Sequence, residues 1–312
     1  MKYIVTGGAG FIGSSLVRLL VEQPGAQVIA LDNLNSSDPS NLAGVEGHWS
    51  LVVADIRDYG AIAPHFVGAD YVVHLAAIPS VPRSIKEPVP SHEVNINGTF
   101  NVLTAAQAAG VKRLVYAASS SAYGDTDVLP KVETMMPRPK SPYAAQKLMG
   151  EHYCSVFHSC FGLETVALRF FNVFGPRQDP NSPYSGVLSL FMTCLLENRP
   201  PTLFGDGGQT RDFTYVEDVA GLVLKALRAP STACGKVFNA GNGNRYSLVE
   251  TWEMLQKIEG VTIPPNFGPP REGDVRDSQA DTTAAIAELG HAPQFTFEEG
   301  LRQTLEWYRA NR

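Results

Sequence analysis

Lys2-Tyr3-Ile4-Val5-Thr6-Gly7-Gly8-Ala9-Gly10-Phe11-Ile12-Gly13-Ser14-Ser15-Leu16 follows the first methionine and decides how the rest of the chain is read. Tyr3 to Thr6 are aromatic, apolar or β-branched without alternation, the pattern of a strand buried on both faces. Glycines follow at once, and Leu16, Val17, Leu19, Leu20 and Val21 then supply the apolar face of a helix. Strand, glycine turn and helix in that order form a dinucleotide-binding βα unit. Gly7 allows the tight turn, Gly10 lets backbone approach a pyrophosphate, and Gly13 lets the helix pack close to the strand. Phe11 and Ile12 lie between them, at the helix N-terminus.

Composition narrows the classes of function. The chain has 312 residues, 44% hydrophobic and 18% charged, which is ordinary for a globular protein with a sizeable core. A net charge of −6 argues against nucleic acid as a partner, so any anionic ligand must be met by local arginines. Cys154, Cys160, Cys194 and Cys234 show no C-x-x-C spacing, so neither a metal centre nor a disulfide framework is indicated. They read as small buried hydrophobes in a reducing cytosol. No apolar run approaches transmembrane length and the first strand leaves no room for a leader, so a cytoplasmic protein is expected.

A second strand, Gln27 to Leu31, ends at Asp32. An acid at this place accepts hydrogen bonds from the adenosine ribose and repels a 2′-phosphate. Asn33 and Leu34 follow with no arginine, so NAD is preferred over NADP. Further strands are read at Ser50–Val53 (leading to Asp55), Asp70–Leu75, Lys112–Ala118, Leu163–Leu168 and Lys236–Asn239. Leu75 runs into Ala76 and Ala77, small residues that let backbone and cofactor come close. Pro79 to Pro90 carries four prolines and reads as a surface loop. Asn95 to Gly110 reads as a helix with Ile96, Phe100, Leu103 and Ala106 near one face. Strands alternating with helices make the fold class α/β, a doubly wound parallel sheet. From Asn172 onward the pattern loosens into Pro, Gly and Asn clusters. The expected division is a dinucleotide-binding domain of residues 1–171 plus about 212–242, and a smaller mixed lobe of 172–211 plus about 243–312.

The fifth strand runs into Ser119-Ser120-Ser121-Ala122-Tyr123-Gly124, placing hydroxyls at the ligand-binding edge of such a sheet. Ser141-Pro142-Tyr143 then opens a helix, with Ser141 as N-cap and Pro142 at the first helical position. Tyr143 and Lys147 are four apart and share a helix face. A phenol, with a reference pKa near ~10, is a poor base, and a close ammonium favours its phenolate. The pair is suited to exchanging a proton with a substrate hydroxyl beside a nicotinamide.

These residues carry a resemblance. Thr6 to Gly13 with the looser Gly-x-x-Gly-x-x-Gly spacing, His74-Leu75-Ala76-Ala77, Ser119 with Tyr123-Gly124, and Tyr143 with Lys147 resemble an extended short-chain dehydrogenase/reductase. More closely, the chain is similar to the UDP-hexose 4-epimerases from Lys2 almost to Tyr308. The second half matches at Arg169 to Gly175, Gly205-Asp206-Gly207 with Arg211-Asp212, and Arg271-Glu272-Gly273-Asp274. The resemblance implies a Rossmann domain, an NAD cofactor and a UDP-sugar substrate. It places Ser119, Tyr143 and Lys147 at the reacting hydroxyl and assigns Asp55 and Ile56 to the adenine and Phe171 to the nicotinamide. Ser119, Ser120 and Ser121 would line the sugar, and Asn172, Arg211 and Arg271 would meet the diphosphate. Val187, Thr202 and Phe204 would surround the uracil, and Asp274 would either orient Arg271 or bind a ribose. Ser278 would stand at the end of the sugar pocket, where a small residue leaves space for a 2-acetamido group; Gln178-Asp179-Pro180-Asn181 also resembles the loop of UDP-N-acetylglucosamine 4-epimerases. The resemblance further implies a homodimer built on the helices from about Asn95 and from Pro142.

Three other readings compete for the same residues. A nucleotide-sugar 4,6-dehydratase resembles this family but carries an Asp-Glu pair after its active-site hydroxyl residue, where this chain has Ser120 and Ser121. A 4-ketoreductase would normally release its cofactor. A non-catalytic NAD-binding regulator would have no reason to keep Ser119, Tyr143 and Lys147 together. The resemblance, with Ser120 and Ser121 in place of the acidic pair, implies 4-epimerisation of UDP-N-acetylglucosamine/UDP-N-acetylgalactosamine, with UDP-glucose/UDP-galactose also accepted.

Overall fold

A computed structural model describes residues 1–179, 186–269 and 276–311. The first part of the chain runs β1 (Lys2–Thr6), α1 (Phe11–Val21), β2 (Gln27–Asp32), β3 (Trp49–Val53), α2 (Tyr59–Phe66), β4 (Tyr71–His74), α3 (Val81–Lys86) and α4 (Pro88–His92). It continues through α5 (Thr99–Ala108), β5 (Arg113–Ser119), α6 (Pro142–Phe161) and β6 (Glu164–Phe170). Short strands follow: β7 (Asn172–Phe174), β8 (Thr202–Phe204), β9 (Thr210–Arg211) and β10 (Phe213–Tyr215), with α7 (Val187–Leu196) among them. Then come α8 (Val216–Arg228), β11 (Lys236–Ala240), β12 (Tyr246–Ser247), α9 (Leu248–Glu259), β13 (Asn266–Gly268), α10 (Thr283–Leu289) and α11 (Phe297–Ala310).

Seven strands form one parallel sheet in the order β11-β6-β5-β4-β1-β2-β3. The chain starts in β1, works outward to β3, then returns to β4 and works outward the other way. That reversal opens a crevice at the carboxyl ends of β1 and β4, the usual ligand site of such a sheet. Successive side chains serve opposite faces. Tyr3, Val5 and Val73 pack under α1 and α8, while Ile4, Val72, Leu114 and Tyr116 pack against the other layer of helices. Each such buried aliphatic contributes about 1.5–3 kcal/mol, and burial on both faces explains why the strands show no alternation in sequence. A third core gathers Phe174, Phe191, Phe213, Tyr215, Trp252 and Leu301, joining α7, α9 and α11 to the short strands.

Three sequence expectations change. Pro79 to Pro90 is not a loop but contains α3 and α4, because Ser80 caps α3 and the prolines fall in first turns, where no donor is missed. The helix expected from Asn95 starts as a π-helical turn over Glu93–Gly98 that continues α4, and its buried face carries Asn95, Thr99, Val102, Leu103 and Ala106. Ile96 and Phe100 lie off that face, and Phe100 is exposed. Cys160 is exposed as well, whereas the other three cysteines are buried.

Candidate active site

The glycine turn is shaped by its own neighbours at two positions. Gly7 has φ +72°, and a Cβ there would stand 2.9 Å from the Ala76 nitrogen. At Gly13 a Cβ would fall 2.0 Å from the Gly7 carbonyl oxygen. Gly10 is different: its hypothetical Cβ meets only that same oxygen, at 3.2 Å. Gly10 also N-caps α1, with no side-chain cap and no acid in the first turn. The helix N-terminus is thus left to offer its backbone N–H groups to an anion, which fits the diphosphate of NAD. Phe11 and Ile12 start that turn; Leu75 and Ala76 close the other side, their N–H groups donating to the Thr6 carbonyl (3.1 Å) and Thr6 Oγ1 (3.3 Å). Ala77 follows, half-buried.

Asp32, at the end of β2, is buried, and its carboxylate accepts from the N–H groups of Ala9 (3.1 Å) and Leu34 (2.9 Å) and from Ser37 Oγ (2.6 Å). Asn33 Nδ2 donates to Asp55 at 2.8 Å. The Arg57 guanidinium, aided by Asn33, holds Asp55 down at about 2, so it is a carboxylate at any ordinary pH. Ile56 is buried, its side chain pressed against Gly98 at the foot of α5.

Ser119, Tyr143 and Lys147 come together at the end of β5. Ser119 Oγ accepts from the Ser121 N–H (3.2 Å) and hydroxyl (2.9 Å), and the Ser119 hydroxyl is near enough to the Tyr143 phenol to favour its ionised form. Ser120 and Ser121 are half-buried in the 3₁₀ turn that follows. Ser141 caps α6 by accepting from the Ala144 N–H at 3.2 Å, and Ser84 of α3 accepts from the Tyr143 N–H at 3.0 Å. Lys147 is buried, donates to the Ala117 carbonyl at 2.8 Å and lies 5.1 Å from the centre of the Tyr116 ring. Its pKa falls to about 8 because burial outweighs the pull of Cys154 and Glu151. The expected lowering of Tyr143 by Lys147 is not what the structure shows. Burial pushes the phenol up against the opposing pull of the Ser119 hydroxyl, since Lys147 is turned to the strand carbonyl.

The remaining candidates stand on the other wall. Asn172 opens β7; its N–H and Nδ2 both donate to the Asp212 carbonyl at 3.1 Å. Arg211 Nη1 donates to the carbonyls of Thr210 (2.9 Å) and Arg276 (3.0 Å). Thr202 and Phe204 share one face of β8 while Leu203 between them is buried. Val187 begins α7. Ser278 is half-buried, its N–H donating to the Thr210 carbonyl at 3.1 Å. Phe171 is buried with its ring centre 6.4 Å from that of Tyr123, in a small cluster with Ala280. Arg271, Asp274, Pro180 and Asn181 lie outside the described residues.

Sequence reasoning missed the polar scaffold behind these groups. Thr6 Oγ1 meets His74 Nδ1 at 2.7 Å, and His74 Nε2 meets Thr99 Oγ1 at 2.9 Å. Burial, with the Lys147 charge second, brings His74 down to about 3, so the ring is neutral. Asn95 Nδ2 and Ser91 Oγ both donate to Gln146 Oε1 at 2.8 Å, anchoring α6 one residue before Lys147. Glu151 and Arg169 form a buried two-pronged ion pair at 2.9 and 2.8 Å. Thr6, His74 and Arg169 stood in quoted motifs and Asn95, Gln146 and Glu151 at helical spacings, but neither signal names partners. Among the described residues no cluster of His, Cys, Asp and Glu could hold a metal ion, and no helix is long and apolar enough to cross a membrane.

This geometry agrees with what the chain is similar to. A "UDP-glucose 4-epimerase" of Mycolicibacterium smegmatis is 38% identical over 315 residues, covering 99% of both chains. A "dTDP-glucose 4,6-dehydratase" of an Actinoplanes species is 34% identical over 322 residues, covering 100% of this chain and 99% of that one. The solved structure of a UDP-N-acetylglucosamine 4-epimerase from Methanobrevibacter ruminantium M1, in complex with UDP-N-acetylmuramic acid, superposes with a TM-score of 0.95 at 34% identity. It covers 100% of this chain and 99% of its own. Residues 3–241 match the NAD dependent epimerase/dehydratase family, and with an extended-type Rossmann sheet ending in a glycine turn, the chain belongs to that family.

Proposed function

We propose that the protein is an NAD-dependent 4-epimerase of UDP-hexoses that interconverts UDP-N-acetylglucosamine and UDP-N-acetylgalactosamine and also accepts UDP-glucose and UDP-galactose. The observation that carries this reading is the convergence of Ser119, Tyr143 and a buried Lys147 at the end of β5, two strands from the glycine turn. Bound NAD supplies a reversible hydride acceptor beside C4 of the sugar. Gly7, Gly10, Phe11, Ile12 and Gly13 hold its diphosphate, Asp32 and Asn33 its adenosine ribose, Asp55 and Ile56 its adenine, and Leu75 to Ala77 and Phe171 its nicotinamide half. Tyr143 takes the proton of the 4-hydroxyl and later returns it, while Ser119 hydrogen-bonds the same oxygen. Lys147, seated behind Tyr143 on the same helix face, holds the nicotinamide ribose. The flat 4-keto sugar turns about its diphosphate between the two proton transfers. Asn172, Arg211 and Arg271 hold that diphosphate, with Asp274 beside them; Val187, Thr202 and Phe204 enclose the uracil. Ser120 and Ser121 line the sugar and Ser278 leaves room for the acetamido group.

The same reading assigns residues 1–171 plus about 212–242 to the cofactor and the remainder to the sugar nucleotide. It also makes the protein a homodimer through α5 and α6. Phe100, Met149, Val156 and Phe161 are 44–56% exposed there, and Phe100 packs edge-on against Tyr153 and Phe157. Light scattering at micromolar concentration should give twice the chain mass; a monomer rejects the dimer.

The deciding experiment incubates the protein with each UDP-sugar and no added NAD. Epimerisation supports the reading, a demand for external cofactor points to a reductase, elimination of water to a dehydratase, and inertness to a regulator. Cofactor extracted from the protein should be mainly NAD(H). Asp32→Ala should weaken its retention and relax discrimination against NADP.

A further inference from the structure

Asp212, between β9 and β10, is fully buried. Its Oδ1 accepts from the Asn242 N–H at 2.8 Å and from Thr214 Oγ1 at 3.4 Å. Its Oδ2 accepts from the N–H groups of Gly243 and Ala280, both at 3.0 Å. Its backbone carbonyl accepts from both the N–H and the Nδ2 of Asn172. One residue therefore ties the strand holding Arg211 to Asn172, to the turn after β11, and to the segment that carries Ser278 two residues before Ala280. That segment has other anchors, since Asp281 N–H donates to the Lys131 carbonyl at 2.8 Å and Asn239 Nδ2 donates to the Asp281 carbonyl at 3.0 Å.

We propose that Asp212 is a positioning residue for the sugar nucleotide, setting where Asn172, Arg211 and Ser278 stand relative to one another. This rests on the assignment of those three residues to the substrate. The chemistry is specific to a carboxylate. Four donors converge on two oxygens, and only an ionised acid is all acceptor. An asparagine turns two of those contacts into donor facing donor, and a proton on the acid disturbs one oxygen in the same sense. Burial raises Asp212 to about 6 although all four donors pull it down, so that proton arrives under mildly acidic conditions. The sign matters. An acid whose pKa is higher in the folded chain than in the unfolded one is protonated with a gain in stability as pH falls from above 6 toward 4. Its protonation therefore loosens the substrate wall without helping to unfold the protein. The titratable groups on elements around it are Tyr246 on β12, Lys131 opposite Ala280, Asp277 at Thr210, and His291, whose Nε2 meets the Gly241 carbonyl at 2.9 Å. Arg211 is also adjacent, turned to the Thr210 and Arg276 carbonyls.

The test is calorimetric binding of UDP to the NAD-loaded protein and to Asp212→Asn, with steady-state epimerisation alongside. At pH 7.5 the variant should bind UDP about 10- to 100-fold more weakly and show a matching rise in KM, with kcat changed far less, the pattern of lost ground-state positioning. NAD content and melting temperature should stay near wild type. From pH 7 to 5 the ratio of wild-type to variant affinity should shrink toward one; the ratio removes the titration of UDP's own terminal phosphate, which both proteins share. A variant that binds UDP as well as wild type overturns the inference, and so does a variant that keeps the wild-type pH slope, which assigns the titration to His291 or another neighbour. Should the variant fail to fold, a wild-type KM for UDP-glucose, whose diesterified diphosphate does not titrate in this range, that is flat from pH 7 to 5 overturns it. Wild-type protein that binds no UDP overturns the functional reading and this inference together, whereas UDP binding by wild type and variant alike overturns this inference alone.

Discussion

The two walls of the site are built by different means. On the sheet side, Ser119 is the last residue of β5, and Tyr143 and Lys147 sit on the first turns of α6, a 20-residue helix with its own cap and N1 proline. These elements are long enough to be specified by their own residues. On the other side, Asn172, Arg211 and Thr202 lie on strands of two or three residues, too short to stand alone. Their places come from distant partners: β9 against β12 and Asp277, β8 against β13, Asn172 against Asp212. The catalytic wall is therefore set by local structure, and the recognition wall by a network that one substitution can retune. Chemistry and selectivity should separate under mutation.

The largest expected effect breaks the catalytic wall alone. Tyr143→Phe should reduce turnover by roughly 10²–10⁴, the range for losing general acid–base help, while UDP and NAD binding stay near wild type in titrations. Near-normal turnover would remove Tyr143 from the proton path.

Arg169→Met tests how the catalytic helix is held. Glu151 would remain buried without its partner, which should cost about 3–5 kcal/mol in urea unfolding, and adding Glu151→Leu should recover most of it. An unchanged midpoint for the single variant would mean that the pair does not anchor α6.

The recognition wall answers to Ser278→Tyr. A ring at the end of the sugar pocket should lower kcat/KM for the acetamido sugars by roughly 5- to 150-fold, with UDP-glucose retained. Equal losses on both substrates would deny Ser278 its part in selection.

The smallest effect is a local one. Ser141→Ala removes the α6 N-cap and should cost about 0.5–2 kcal/mol in thermal or chemical unfolding, with modest change in turnover. A loss of turnover as large as that of Tyr143→Phe would show that the catalytic wall leans on long-range placement after all.

The seven sheet strands were legible because each is a short run rich in apolar residues, buried in the central strands and half-exposed in the edge strand β3, and their ends shift by only a residue or two from expectation. The prolines of Pro79 to Pro90 misled because proline's cost depends on position within a helix turn, which the pattern alone did not reveal. Phe100 was grouped on one face with Leu103 and Ala106, but the buried side of α5 is the one shared by Thr99, Val102, Leu103 and Ala106; apolar character alone does not say which side of a helix meets the core.

By itself, the order of residues determined the βα unit, the parallel sheet and the four-residue spacing of Tyr143 and Lys147. The βα unit and the helix spacing depend on neighbours in sequence, and the sheet was legible through its repeated strand–helix alternation although its pairings, such as Tyr3 with Tyr71, are long-range. Only the tertiary structure decided that burial, not the Lys147 charge, governs Tyr143, and that Asp212 joins the segments of the recognition wall. Desolvation and multi-segment hydrogen bonding depend on what the rest of the chain brings alongside. No local pattern carries that information.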